Sequence, residues 1–141
     1  MINWSDPHCQ VTPHFTVQDC LNLHEWGRLA NEKDMVSFTR LIALCQKLED
    51  IRAILKYPMF IHSVFRSVAY NKDQGIIPHD DVHSECLACD FDCEPHLSVE
   101  MVKNILRPCL ETLDIRMERD TPTWIHIDMR EPGVSGREFK A

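Results

Sequence analysis

Apolar residues recur at three- and four-residue intervals through Met35, Phe38, Leu41, Ile42, Cys45, Leu48, Ile51 and Leu55. That period puts them on one face of a helix, and it predicts a long amphipathic helix over 33–56, stopped by Pro58. A second helix is expected from a cap at Ser98 to about Thr112. Met101, Val102, Ile105, Cys109 and Leu113 would face inward, and Pro108 would interrupt it. Thr16, with Asp19 three residues on, is a partial capping box for a short helix. Elsewhere the period is two. Residues 59–65 read as a strand with Ile61, Ser63 and Phe65 on one face. Residues 87–92 read as another, with Leu87, Cys89 and Phe91 toward the core and Ala88, Asp90 and Asp92 on the opposite face. Residues 113–118 and 124–130 read as a closing pair of strands. In the last of these Ile125, Ile127 and Met129 point to the core, and Trp124, His126 and Asp128 point together to the other face. Residues 71–82 are polar, with Gly75, Pro78, Asp80 and Asp81, and read as a loop. Residues 1–14 have no period and read as an N-terminal arm. The expected domain, 15–141, is α+β: a small antiparallel sheet with helices packed on one side.

The chain has 141 residues, enough for one core, and its 44% apolar and 26% charged content is that of an ordinary globular protein. A net charge of −7 argues against binding a nucleic-acid backbone. No apolar stretch approaches the ~20 residues of a membrane span. The first seven residues have neither a basic region nor an apolar core, so no secretory signal peptide is expected. Seven cysteines in an unexported chain suggest a reducing compartment, and their odd number leaves one thiol free in any internal pairing. Cys86, Cys89 and Cys93 are spaced as a thiolate metal site would be. No second clean Cys pair completes four ligands, and strand alternation turns Cys89 inward as a small apolar residue.

A different set of ligands carries more chemistry. His83, Asp90 and His126 are two imidazoles and a carboxylate. Three such ligands leave a fourth zinc position for water, as a catalytic site requires. Zinc with an open position generates hydroxide near neutral pH and polarises a carbonyl. On its own, His126 reads more readily as part of a solvated strand face; the segments around it change that reading.

Those segments are His62-Ser63-Val64-Phe65-Arg66-Ser67…Asn71, Asp81-Val82-His83…Ala88-Cys89-Asp90 and Trp124-Ile125-His126-Ile127-Asp128. Together they resemble the zinc D-alanyl-D-alanine carboxypeptidase and murein peptidase family, related in fold to the Hedgehog signalling domain. Members carry Ser-Gly-Tyr-Arg-Ser…Asn, then Ser-x-His-x-x-Gly-x-Ala-x-Asp, then aromatic-x-His-x-Asp. Arg66, Ser67 and Asn71 match the first motif, His83, Ala88 and Asp90 the second, and Trp124, His126 and Asp128 the third. Phe15 to Asp19 resembles the family's opening helix, so the likeness runs from about Phe15 to Arg130. The chain departs from the pattern at three places. Cys86 stands for the usual Gly, Asp81 for the usual Ser, and Thr123 for a carboxylate that some branches place three residues before the last His.

The resemblance implies a Hedgehog/DD-peptidase-like fold and a zinc peptidase that cuts D-Ala–D-Ala or a neighbouring bond of the peptidoglycan stem. His83, Asp90 and His126 would hold Zn2+. Asp128 would either take the water's proton or orient a ligand and bind an Arg. Arg66 would meet a substrate carboxylate or a developing oxyanion, or else form a surface ion pair. Ser67 and Asn71 would assist with substrate or cap the loop, and Asp92 would bind a substrate amine or face water. Trp124 would line the substrate site. A short chain without an expected export signal suits a phage lysin or virion-associated hydrolase, made in the host cytoplasm and acting on the cell wall. No membrane or nucleic-acid partner is expected. The alternative from another class is an inactive, zinc-stabilised structural or binding module that contacts virion proteins.

Overall fold

Thr16 caps its helix as expected: its hydroxyl accepts from Asp19 N, and the Asp19 carboxylate accepts from Thr16 N at 2.8 Å. A computed structural model describes residues 1–141. β1 (Gln10–Thr12) and β2 (Phe15–Thr16) form a small hairpin that leads into helix α1 (Val17–Leu21). Residues 1–14 are therefore tied down. Thr12 Oγ1 and His14 N each donate to Glu49 at 2.8 Å, and Trp4 packs on Phe38 with ring centroids 4.7 Å apart. A second hairpin, β3 (Asn22–Leu23) with β4 (Arg28–Leu29), follows.

The long helix is α2 (Phe38–Leu55), five residues shorter at its start than the apolar period suggests. Asn31 caps a separate 3-10 turn at 32–34, Met35 takes a left-handed conformation and is exposed, and Ser37 starts α2 with a cap onto Arg40 N. The chain leaves the helical path before the stripe begins, so Met35 shares its period but not its burial. Leu41, Leu44, Cys45, Leu48, Ile51 and Leu55 form the buried face.

The main sheet comprises β5 (Phe60–Ser63), β6 (Ala88–Asp92), β7 (Arg116–Glu118), β8 (Ile125–Asp128) and β9 (Glu138–Phe139), in the order β5-β6-β8-β7-β9. Every pairing is antiparallel except β7 with β9, which is parallel, so the expected all-antiparallel sheet is a mixed one. Alternation on β6 and β8 holds: Cys89, Phe91, Ile125 and Ile127 are fully buried in one cluster with α1, α2 and the later helices.

Other segments differ from expectation: the strand expected over 59–65 is Phe60–Ser63, and the one expected over 113–118 is Arg116–Glu118, because Leu113 ends a helix. Helix α3 (Val68–Asp73) occupies the start of the expected loop, because Ser67 caps it by accepting from Tyr70 N at 3.1 Å. The helix after Ser98 is α4 (Val99–Leu106), which passes at Pro108 through a 3-10 turn into α5 (Leu110–Leu113). Met101 is exposed on α4, and the inward position goes to Lys103, 2% exposed. Its ammonium donates to the carbonyls of Arg119 at 2.8 Å and Thr121 at 2.7 Å. A buried cation thereby fixes the connection between β7 and β8.

Candidate metal centre

Sheet register assembles most of the site. Asp90 on β6 lies opposite His126 on β8, Ala88 opposite Asp128, and Arg116 on β7 opposite Asp128 on its other side. Side chains opposite one another across a sheet share a face, so Asp90, His126, Asp128 and Arg116 line up on one rigid surface. The third ring comes from a turn. Asp81 O accepts from Ser84 N and Ser84 Oγ, His83 O accepts from Cys86 N, and the chain then enters β6. Cys86 takes the left-handed conformation at φ 59 that this turn needs. The cost of that conformation for a non-glycine residue is about 1–2 kcal/mol. Cys86 is fully buried, and its sulfur accepts from Ser37 N.

The turn places His83 over the sheet, 2% exposed. Ligand atoms of His83, Asp90 and His126 all lie within 4.8 Å of one another. His83 Nε2 is 3.3 Å from Asp90 Oδ2, and His126 Nδ1 is 2.7 Å from Asp90 Oδ1. The remaining nitrogens are committed elsewhere. His83 Nδ1 donates to Val64 O at 2.7 Å, and His126 Nε2 donates to Asp128 Oδ2 at 3.0 Å. A neutral ring that donates from one nitrogen carries its lone pair on the other. The other two nitrogens, His83 Nε2 and His126 Nδ1, both face the Asp90 carboxylate; without a metal His126 Nδ1 donates its proton to Asp90, and a metal would take that proton's place. Two imidazoles and one carboxylate, so oriented, fit zinc with one position left for water.

Electrostatics follow from the same contacts. Burial would raise the Asp90 carboxyl, but the neighbouring His83 and His126 rings outweigh it and hold it well below the usual carboxylate range. Burial would likewise lower His126, but Asp128 and Asp90 outweigh it, and its pKa is pushed up to about 9. Asp128 is fully buried. Its Oδ1 accepts from Arg116 Nε at 2.8 Å and Arg130 N at 3.1 Å; its Oδ2 accepts from Arg116 Nη2 at 2.8 Å and from His126. A carboxylate has about four lone-pair directions, and here all are taken. Burial pushes Asp128 up, yet the hydrogen bonds from His126 and Arg116 leave it below its ordinary value. Of the two roles the sequence leaves open, these surroundings are those of a carboxylate that orients a ligand and binds an Arg. They oppose the role of base, which needs a free oxygen and a pKa nearer neutrality.

The other residues singled out in the sequence lie around this centre. Arg66 Nη2 donates to Asp81 Oδ2 at 2.9 Å, and Arg66 N contacts His83 O. Asn71 is fully buried and donates to His79 O at 3.0 Å and Asp81 Oδ1 at 3.1 Å, holding the loop that leads to His83. Ser67 is spent on its helix cap. Asp92 hydrogen-bonds His62 Nε2, which sits at an irregularity in the pairing of β5 with β6. Trp124 is partly buried just before β8. Arg116, Lys103 and Phe139 carry no signal in the sequence taken segment by segment, and His62 stands in the first motif segment without a role. The Arg116 guanidinium lies 4.1 Å from the centre of the Phe139 ring. Pairing 113–118 with 124–130 in antiparallel register is the signal that would have found Arg116.

This buried cluster of two histidines and one carboxylate could hold a metal ion and is compatible with a metal-dependent hydrolase. The sequence matches the family model of Peptidase M15 over residues 13–128. The chain belongs to that family, one of zinc peptidases acting broadly on peptidoglycan-type substrates. No curated protein and no solved structure matches it. No helix is long and apolar enough to cross a membrane.

Proposed function

We propose that this chain hydrolyses a peptide bond of the peptidoglycan stem, at D-Ala–D-Ala or a neighbouring bond to a D-residue, as a phage lysin or virion-associated hydrolase. The observation that carries this reading is the convergence of ligand atoms of His83, Asp90 and His126 within 4.8 Å of one another, with the other nitrogen of each ring held by Val64 O or Asp128. Bound zinc would activate water and polarise the scissile carbonyl. His83, Asp90 and His126 would hold it, while Asp128 and Arg116 keep the His126 ring in its tautomer and orientation.

Proton transfer then falls to another group. Asp92 lies two residues from Asp90 on the same face of β6, and its partner His62 is half exposed. We assign the pair as acceptor of the water's proton and donor to the leaving amine, in place of the carboxylate that Thr123 lacks. Arg66 and Trp124 border the substrate.

The test is to incubate zinc-loaded protein with purified peptidoglycan and measure new amino groups, with chelated protein as the control. Release of amino groups that depends on zinc supports the hydrolase. Binding of the sacculus without release favours the inactive binding module, for which Thr123 at the usual base position is the supporting observation.

A further inference from the structure

Arg66 does not face its cleft as a free cation. Asp81 Oδ2 holds its Nη2 at 2.9 Å. The same carboxylate accepts at Oδ1 from Asn71 Nδ2 at 3.1 Å and from Ser84 N at 3.2 Å. Two donors, one from α3 and one from the His83 turn, therefore hold Asp81 against Arg66, and it cannot swing away without undoing the turn that presents a metal ligand. Arg66 and Asp81 are each less than one-fifth exposed, so the pair is screened less than a surface bridge.

The cleft that Arg66 lines has a volume of about 560 Å³. Ser63 borders it and lies opposite Asp90 on the neighbouring strand of the sheet. Asn22, His24, Glu25 and His62 also line it. Its fixed charges are Arg66 and Glu25, and Asp81, outside the lining, is paired with Arg66. That is one positive charge against two negative ones. A free C-terminal carboxylate entering here would have to compete with Asp81 for the guanidinium and would meet the field of Glu25. An uncharged peptide carbonyl meets neither cost. The guanidinium still has donors to offer: only its Nη2 is hydrogen-bonded within the protein, and the side chain is partly exposed.

We propose that Asp81 sets specificity by neutralising Arg66, so that the cleft takes an internal or amidated stretch of peptide rather than a chain ending in a free carboxylate. This rests on the peptidase reading and narrows it: the chain would be an endopeptidase, not a carboxypeptidase. A charge-assisted contact is about twice as strong as a neutral one, so discrimination of about tenfold is at stake.

The experiment uses two peptides, L-Lys–D-Ala–D-Ala with a free C-terminal carboxylate and the same peptide as its C-terminal amide. Binding to the zinc-loaded full chain is measured by calorimetry, and cleavage by mass spectrometry. Wild-type protein should bind the amide more tightly than the acid. Asp81→Asn keeps an oxygen for Ser84 N and Asn71 Nδ2 but turns an amide toward Arg66, freeing the cation. It should shift the acid-to-amide ratio toward the acid by about tenfold. Asp81→Ser should shift it the same way. A turn that was merely loosened would weaken both peptides equally. A wild type that prefers the acid overturns the proposal, even if neither variant folds; so does an unchanged ratio in a folded variant, or no binding of either peptide. Binding with the expected ratio but no cleavage would keep the specificity and remove the peptidase reading. Amino groups released from peptidoglycan with no discrimination between the two peptides would do the reverse.

Discussion

Arg116 grips Asp128 from the neighbouring strand through two parallel hydrogen bonds of 2.8 Å each. The guanidinium is backed by the Phe139 ring, and the carboxylate passes the interaction on to His126. Four residues on three strands thus end at one nitrogen of a metal ligand. Arg116→Leu should leave a fully buried carboxylate without its cation, a loss of about 3–5 kcal/mol in unfolding free energy. Arg116→Lys keeps the charge without the fork and should lose less stability, yet still weaken zinc. Denaturant unfolding and zinc titration of the two variants check this. Equal stability of wild type and Arg116→Leu would mean that Asp128 is protonated or solvated in solution.

Asp128→Asn separates the two roles of that carboxylate. As a support for His126, it should weaken zinc binding by about 10–100-fold, with turnover restored when zinc is raised to saturation. As a base, it would instead leave zinc affinity near normal and cut kcat at saturating metal. The filled lone pairs of Asp128 predict the first result. Zinc titration followed by kinetics at saturating metal decides the matter.

The residues of the site were legible wherever chemistry coincided with alternation. His126 and Asp128 could be placed on one face of a strand because Ile125 and Ile127 had to go inward. Asp90 followed in the same way from Cys89 and Phe91. What could not be read was whatever depends on register between segments distant in sequence. Arg116 looks like a surface residue until β7 is set against β8. Lys103 looks like the polar side of α4 until two carbonyls of the β7–β8 connection come within reach of it. Backbone strain was equally hidden. A Cys where a left-handed residue is needed argues against the turn, yet the turn forms, because burying the Cys86 sulfur against Ser37 offsets part of its cost. The late start of α2, which leaves Met35 outside the helix, is the converse case: the capping at Asn31 and Ser37 is local, and it overrode the period.

Acidity should affect the metal-free protein in a defined direction. Two carboxylates, Asp90 on one ring nitrogen and Asp128 on the other, hold His126 near 9, above the ~6.5 of an unfolded His. The stability this contributes is fully present below about pH 6.5 and is lost as pH rises through 9. Asp90 and Asp128 are depressed. Their contribution is present above the ordinary carboxylate value, about 4, and is lost as pH falls below it. Chelated protein should therefore be most stable between about pH 4 and 6.5 and should melt at progressively lower temperature up to pH 9. Zinc replaces the proton on His126, so its affinity should rise over the same interval and the loaded protein should lose less. Thermal melts at pH 6, 7.5 and 9, with chelator and with zinc, test both halves. A chelated protein whose melting temperature is level from pH 6 to 9 would show that His126 is neutral throughout.

The remaining prediction concerns the group that moves the proton. Asp92 shares a face with Asp90 and lies at the end of the site away from the Arg116–Asp128 pair, on the side of Trp124. His62 bonds to it from β5 and is also a lining residue of the cleft. A carboxylate joined to a half-exposed imidazole can receive a proton at one atom and release it from another, which a peptidase must do within one turnover. Neither residue contacts a metal ligand through a hydrogen bond, so Asp92→Asn and His62→Gln should keep zinc at one equivalent and preserve the fold. Both should cut kcat by about 10²–10⁴-fold with KM little changed. The double variant should fall no further than the worse single one, because residues that act as a unit are not additive. Elemental analysis with full kinetic curves on a cleaved stem peptide reads all three quantities. Near-normal kcat in Asp92→Asn would move the proton acceptor to Glu85, two residues beyond His83 and paired with Arg130 at the surface; Glu85→Gln would then be the variant that loses turnover.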